Sequence, residues 1–152
     1  MAEAAPGAHV LGVELDLASL ASVKDFPARL RAAGGTEASI DELDVLINNA
    51  GVMAIPERIE TLDGFERTIG VNHLGHFALV AALLPLLKRA KDGFRIINIS
   101  SDAHKFVTPD SMSAAIDANL DPTYAAGGWG NYGISKAANV LFTLELQRRI
   151  DA

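Results

Sequence analysis

Two short runs of leucine and β-branched residues, Asp44-Val45-Leu46-Ile47-Asn48-Asn49 and Phe94-Arg95-Ile96-Ile97-Asn98-Ile99, constrain this chain more than any other feature. They are apolar almost without alternation, which suits strands of a parallel sheet covered on both faces. Parallel neighbours need a long crossover. The stretch from about Leu62 to Ala90 supplies it, because its apolar positions recur at helical spacing, with Gly70 and Gly75 as joints between segments. Asp92-Gly93 then turns the chain into the second run.

Upstream, Val10 to Leu15 reads as another short strand ending at Asp16, and Ser19 as the N-cap of a helix running to about Ala33. Pro27 lies inside that helix, where a proline costs about 3 kcal/mol and predicts a bend or a split. Gly34-Gly35-Thr36 marks a loop, and about ten residues of loop follow Ala50-Gly51. From Ser101 to about Gly130 the chain has few apolar runs, two prolines and Gly127-Gly128, and reads as a long irregular loop of the kind that carries function. A last helix is expected from about Tyr132 to Ile150. Strands alternating with helices in this way specify an open α/β sheet. Ligands of such sheets bind beyond the carboxyl ends of the strands, where Asp16, Asn49-Ala50-Gly51 and Ser100-Ser101 fall.

Composition narrows the function. A chain of 152 residues can bury a core without disulfides, and the absence of cysteine excludes thiolate catalysis and thiolate zinc sites. Nineteen acidic residues against 13 basic give a net charge of -6, which offers no positive field to a nucleic-acid backbone. The longest near-continuous apolar run, Phe77 to Leu87, is about half of what a bilayer span needs and contains Pro85. No membrane span is therefore expected, and the opening Met1-Ala-Glu-Ala-Ala-Pro-Gly-Ala8 has neither the basic nor the apolar part of a signal peptide, so a cytoplasmic chain is expected. Residues 1–9 read as a disordered start, 10–152 as one domain, and there are no internal repeats.

Tyr132-Gly133-Ile134-Ser135-Lys136 opens the last helix and places a phenol and an ammonium on one face, one turn apart. A nearby cation favours the phenolate, so Lys136 can tune Tyr132 towards acid–base work. Such a pair also arises by chance on exposed helices. His73 and His76, three apart, lack an evident third ligand, and packing or hydrogen bonding rather than metal binding is expected for them. Phe106 and Trp129 could equally line a hydrophobic pocket or anchor the loop.

The Tyr/Lys pair has company. Asn48-Asn49-Ala50-Gly51 at a strand end, Val71-Asn72-His73-Leu74-Gly75 in a helix and Ile97-Asn98-Ile99-Ser100-Ser101 at the next strand end precede it in order. Together these motifs resemble the short-chain dehydrogenase/reductase family, over nearly the whole chain from about residue 10. The phrases from Val71 to Phe77 and from Tyr132 to Asn139 look most like its retinol-dehydrogenase-like branch.

The resemblance implies an oxidoreductase that interconverts an alcohol and a carbonyl with NADP or NAD, NADP being suggested by the branch, and a small lipophilic substrate. Tyr132 would be the acid/base, Lys136 the cation that favours its phenolate and holds the nicotinamide ribose, Ser101 the donor that polarises the carbonyl, and Asn72 the anchor of a proton-relay water. Ser100 competes with Ser101, but the second serine of the Ile-Ser-Ser phrase normally serves. Asp16 would receive the adenine amino group, with Asn49, Ala50 and Gly51 lining the adenosine side; the plain alternatives are a helix-entry acid and a strand-end cap.

The chain departs from the family pattern in one respect. No Gly-rich phosphate loop follows any strand; Gly34-Gly35 and Gly127-Gly128-Trp129-Gly130 have the wrong context. The resemblance makes Val10 to Asp16 the family's third strand, so the expected fold is a partial Rossmann-like, doubly wound parallel sheet lacking the first two and the last strands. In the order 3-2-1-4-5-6 this leaves a gap of roughly 14 Å between the first and second strands of the chain. The Val10 strand must then detach, shift to pair with Asp44 to Asn49, or find another chain. Self-association is expected through the helices near 66–90 and 132–150, which resemble the family's dimerising pair. The alternative reading is a catalytically inactive, truncated remnant that associates through its helices and cannot hold the cofactor.

Overall fold

The structure is a computed structural model, and it describes residues 7–35, 39–118 and 128–152. Ser19 accepts a hydrogen bond from the Ser22 N–H and opens α1 (Leu20–Ala33). The helix passes Pro27 as one uninterrupted element rather than splitting there. Arg29 reaches back across the proline turn and donates to the Ser22 carbonyl at 2.7 Å.

The Asp44 and Phe94 runs form β1 (Val45–Asn48) and β2 (Arg95–Asn98). They pair in parallel, Val45 with Arg95 through Asn48 with Asn98. Between them lie α2 (Arg67–Ile69), a five-residue π turn (Gly70–Leu74) and α3 (Gly75–Leu87), so the two glycines do stand at the joints. The helical run starts at Arg67 rather than near Leu62, because the buried Glu66 carboxylate caps it through the Thr68 and Ile69 N–H groups. Leu17, Val23, Leu79, Leu83, Leu86 and Leu87 form the main core, with Leu46 and Ile96 packed against it. A 21-residue helical run, Arg67–Leu87, is long and apolar enough by composition to cross a membrane, but half of its most apolar window is buried in this core.

Three expectations are corrected. Val10 to Leu15 pairs with no strand among the described residues, and Val10 and Leu11 are exposed. Extended backbone becomes a strand only when a neighbour takes its N–H and C=O groups, and among the described residues β1 pairs with β2 alone. Within this chain the segment does not shift to pair with β1.

The sheet is covered on one face only. Leu46 and Ile96 point into the core and Asn98 reaches Thr143 of the last helix, whereas Val45 (50%) and Ile47 (57%) on the opposite face are exposed. Among the described residues no helix packs over that second face.

The stretch after Ser101 is less irregular than expected. Asp102–Phe106 is a 3-10 turn capped by Ser101, and α4 (Pro109–Asp117) is opened by a reciprocal Thr108/Ser111 capping box with proline at its first turn. α5 (Trp129–Ile150) begins three residues before Tyr132, at Gly128, whose φ of +82° only glycine adopts without strain. Ile69, Ala115 and Ile134 join α2, α4 and α5 in a second core. Residues 1–6, Thr36 and Gly127, part of the expected disordered start and loops, lie outside the described residues.

Candidate active site

Helix α5 is apolar enough to pack, yet one stripe of it is polar and buried: Ser135, Lys136 and Asn139, with Tyr132 half-buried above them. These positions recur at helical spacing and face the ends of the strands. Lys136 is 5% exposed, and its Nζ donates to the Ile99 carbonyl at 3.1 Å, just past β2. The same nitrogen lies 5.6 Å from the centre of the Tyr132 ring. Ser135 Oγ donates to the Tyr132 carbonyl at 2.7 Å and accepts from Asn72 Nδ2 at 3.0 Å.

Asn72 sits in the π turn and is fully buried. Its amide grips both sides of one residue in the loop after β1: Oδ1 accepts from the Val52 N–H at 2.8 Å, and Nδ2 donates to the Val52 carbonyl at 2.9 Å. Gly51 explains how the loop comes so close. A Cβ there would lie 3.0 Å from Asn72 Oδ1 and 3.7 Å from Lys136 Nζ.

Asn139 ties the assembly together. Its Nδ2 donates to the Asn72 carbonyl at 3.0 Å and to the Ile99 carbonyl at 3.3 Å, so Ile99 serves both Asn139 and Lys136. The Asn139 Oδ1 is then left to face His73 Nδ1 at 3.1 Å, which assigns the ring proton to that nitrogen. His76 Nδ1 faces the Asn72 carbonyl at 3.1 Å and carries its proton there for the same reason. Burial lowers the pKa of both imidazoles from the ordinary histidine value, with the hydrogen bond from each ring offsetting part of that. Hydrogen bonding and packing, as expected, are what hold both rings.

The two serines diverge. Ser100 Oγ donates to the Lys136 carbonyl at 2.8 Å, whereas Ser101 accepts from the Ala103 N–H and borders a cavity beside Tyr132. That cavity, of about 610 Å³, is walled by Phe106, Val107, Trp129, Ile134 and Met53. Phe106 and Trp129 thus line a pocket. Gly133 brings α5 against the 3-10 turn, since a Cβ there would meet the Ala103 carbonyl at 3.1 Å. A smaller cleft of about 190 Å³ opens on the other side of Tyr132, bordered by Asn49, Gly51, Ile99 and Lys136.

The fold therefore gathers Asn49, Gly51, Asn72, Ser101, Tyr132 and Lys136, with Ala50 in the same strand-end loop. Asp16 lies outside that cleft, and its exposed carboxylate holds the Ala18 N–H at the entry to α1. Sequence reasoning missed Ser135, Asn139 and Met53. The polar stripe at helical spacing on α5 is a signal that could have found the first two. Nothing local marks Met53.

The family model described as short chain dehydrogenase matches residues 1–114. Polyprenol dehydrogenase of Mus musculus is 44% identical over 148 residues, covering 95% of this chain and 40% of that protein. Retinol dehydrogenase 14 of Homo sapiens is 41% identical over 159 residues, covering 99% and 42%. Among solved structures, the landomycin C-6 ketoreductase LanV with bound NADP and rabelomycin is 30% identical with a TM-score of 0.64, over 95% of this chain and 51% of that one. The chain spans about 40% of the length of these curated relatives.

Proposed function

Because the chain belongs to the short-chain dehydrogenase/reductase family, with a retinol-dehydrogenase-like sequence, we propose that its site interconverts an alcohol and a carbonyl with a nicotinamide cofactor. The observation that carries this reading is the position of Tyr132, which borders the apolar cavity on one side and the polar cleft on the other.

The cleft fits the nicotinamide–ribose half of the cofactor. Gly51 leaves bare backbone at its wall, and Lys136 uses one of three N–H donors on Ile99, keeping two for ribose hydroxyls. NADP is suggested by the resemblance to the retinol-dehydrogenase-like branch, while the solved neighbours hold either NADP or NAD. The pyrophosphate half finds no Gly-rich cradle in these 152 residues. When bound, the nicotinamide supplies or accepts the hydride.

The chain's own residues do the rest. Ser101 Oγ donates a hydrogen bond to the substrate oxygen, polarising the carbonyl, and stabilises the charge that develops there. The Tyr132 hydroxyl delivers the proton to that oxygen in reduction, and the Tyr132 phenolate takes it back in oxidation. Lys136 holds positive charge beneath the Tyr132 ring. Asn72 fixes the loop at Val52 and, through Ser135, the backbone of Tyr132. The wall of Phe106, Val107, Trp129 and Ile134 selects a lipophilic substrate.

The test is a titration of the protein with NADPH and NADH, followed by cofactor fluorescence, with turnover of an aliphatic ketone assayed alongside. Saturable binding and turnover support the reading; no binding up to millimolar cofactor overturns it.

A second reading rests on the outer surface of α3 and α5, where Phe77, Leu141 and Leu144 are 52%, 52% and 65% exposed. Contiguous apolar surface of this kind favours self-association through these helices. A sedimentation mass of 16.1 kDa at micromolar concentration would rule it out.

A further inference from the structure

Cavity and cleft share two residues among those described, Tyr132 and Met53. We infer that Met53 is a specificity-determining residue: it limits the smaller substituent on the reacting carbon, so that the site takes aldehydes and methyl ketones carrying one long apolar arm, and the corresponding alcohols. This deepens, and rests on, the function proposed above.

The geometry runs from the backbone outward. The residue before Met53, Val52, has both its N–H and its carbonyl held by the buried Asn72 amide, at 2.8 and 2.9 Å. The residue after it, Ala54, has φ +50°, in the left-handed region that non-glycine residues seldom adopt. Met53 is thus pinned between a fixed residue and a sharp turn, while its side chain is 56% exposed and borders both spaces.

A substrate oxygen facing Tyr132 and Ser101 leaves the carbon with two further substituents. One can extend into the cavity of about 610 Å³, against Phe106, Trp129 and Ile134. The other lies where cavity and cleft meet, beside Met53 and Tyr132, the two described residues that border both spaces. A hydrogen or methyl group fits beside a thioether there; a branched group meets it. Methionine is unbranched and soft, so it closes such a gap without rigid clashes.

The experiment compares kcat/KM for 2-decanone and for 2-methyl-3-undecanone, which share an octyl arm and differ by a methyl against an isopropyl group, in the wild type, Met53→Ala and Met53→Leu, with NADPH and NADH. Trp129, the single tryptophan, lines the cavity, so its fluorescence reports 2-decanone binding independently of turnover. Being half-exposed, Met53 can be shortened without a core cavity. In Met53→Ala the preference should move towards the branched ketone by about 10-fold or more, the range that one or two methylenes command in a pocket. Met53→Leu should keep the wild-type preference within about 3-fold. A preference that moves less than about 2-fold in Met53→Ala, in a wild type that turns over, overturns this inference alone. A wild type that binds neither cofactor nor 2-decanone overturns the functional reading and this inference with it.

Discussion

The ammonium nitrogen of Lys136 lies 5.6 Å from the centre of the Tyr132 ring and 3.1 Å from the Ile99 carbonyl. A cation near an aromatic ring is drawn to its negative face, and the strand-end carbonyl keeps that cation from drifting to solvent. The positive charge is thus tied to the sheet, and the phenol is tied to the charge.

Tyr132→Phe keeps the ring and removes the hydroxyl. Turnover should fall by about 10²-fold or more, the usual worth of a positioned proton donor. Cofactor affinity should change by less than about 2-fold, because Lys136 keeps both partners. Steady-state kinetics and a fluorescence titration of the same preparation check both statements, and unchanged turnover would remove Tyr132 from the chemistry.

Lys136→Met separates activity from stability. The charge at this 5% exposed position has a carbonyl and a ring as partners, and no carboxylate pairs with it among the described residues. An apolar chain of similar length relieves the cost of burying it. The melting temperature should hold or rise while turnover and cofactor binding are both lost. A variant that melts lower but keeps cofactor affinity would make Lys136 structural.

Gly75→Ala tests the joint between the π turn and α3. A Cβ at this position would stand 2.6 Å from the Leu17 carbonyl oxygen, a backbone atom that cannot swing aside. Overpacking of this kind costs about 1–3 kcal/mol. Gly12→Ala is the control, since a Cβ there meets nothing within 4 Å. Chemical denaturation should show a lower midpoint for the first and little change for the second.

The two histidines make stability pH-dependent. Burial lowers the pKa of His73 and His76 in the folded chain, so as pH falls through the ordinary histidine value of 6.5 the unfolded chain binds protons first. Stability should therefore be full above about pH 7 and decline below it, by at most about 1.4 kcal/mol per pH unit for each ring, until the folded rings also protonate. Lys136 and His73, both positive when charged, also oppose protonation of His76. Melting temperatures from pH 8 to 5, for the wild type and His76→Asn, check this; a slope unaltered in the variant would clear His76.

Much of the fold is legible in the sequence where one local signal decides it. The Val45–Asn48 and Arg95–Asn98 strands follow from unbroken apolar runs, α1 from its Ser19 cap, and the joints in the crossover from Gly70 and Gly75. What failed depended on neighbours. An apolar segment such as Val10 to Leu15 says that it can be a strand and is silent on whether a partner adjoins it. The same holds for Val45 and Ile47, whose apolarity promises a covering helix that the described residues do not provide. Helix α4 was readable in Thr108-Pro109-Asp110-Ser111, but the surrounding prolines and glycines masked it. In the site, Tyr132, Lys136, Ser101 and Asn72 stood out by motif. Asn139 and Met53 did not, because their roles come from what surrounds them in space: two carbonyls from different elements in one case, two spaces shared with Tyr132 in the other.

The π turn at Gly70–Leu74 also sets a phase. Each residue of an α-helix advances the chain by about 100°, so one extra residue per turn rotates everything after it by that amount. Upstream and downstream faces of the crossover are therefore cut from different angular frames: Asn72 looks towards the loop at Val52, while Leu79, Leu83, Leu86 and Leu87 look into the core. Deleting the codon for Val71 would keep Asn72 and the four leucines and restore an unbroken α-helix, yet it would force a choice between aiming Asn72 and burying the leucines. The crossover thus carries its polar and its apolar duties on one continuous stretch only because its helical clock is reset midway.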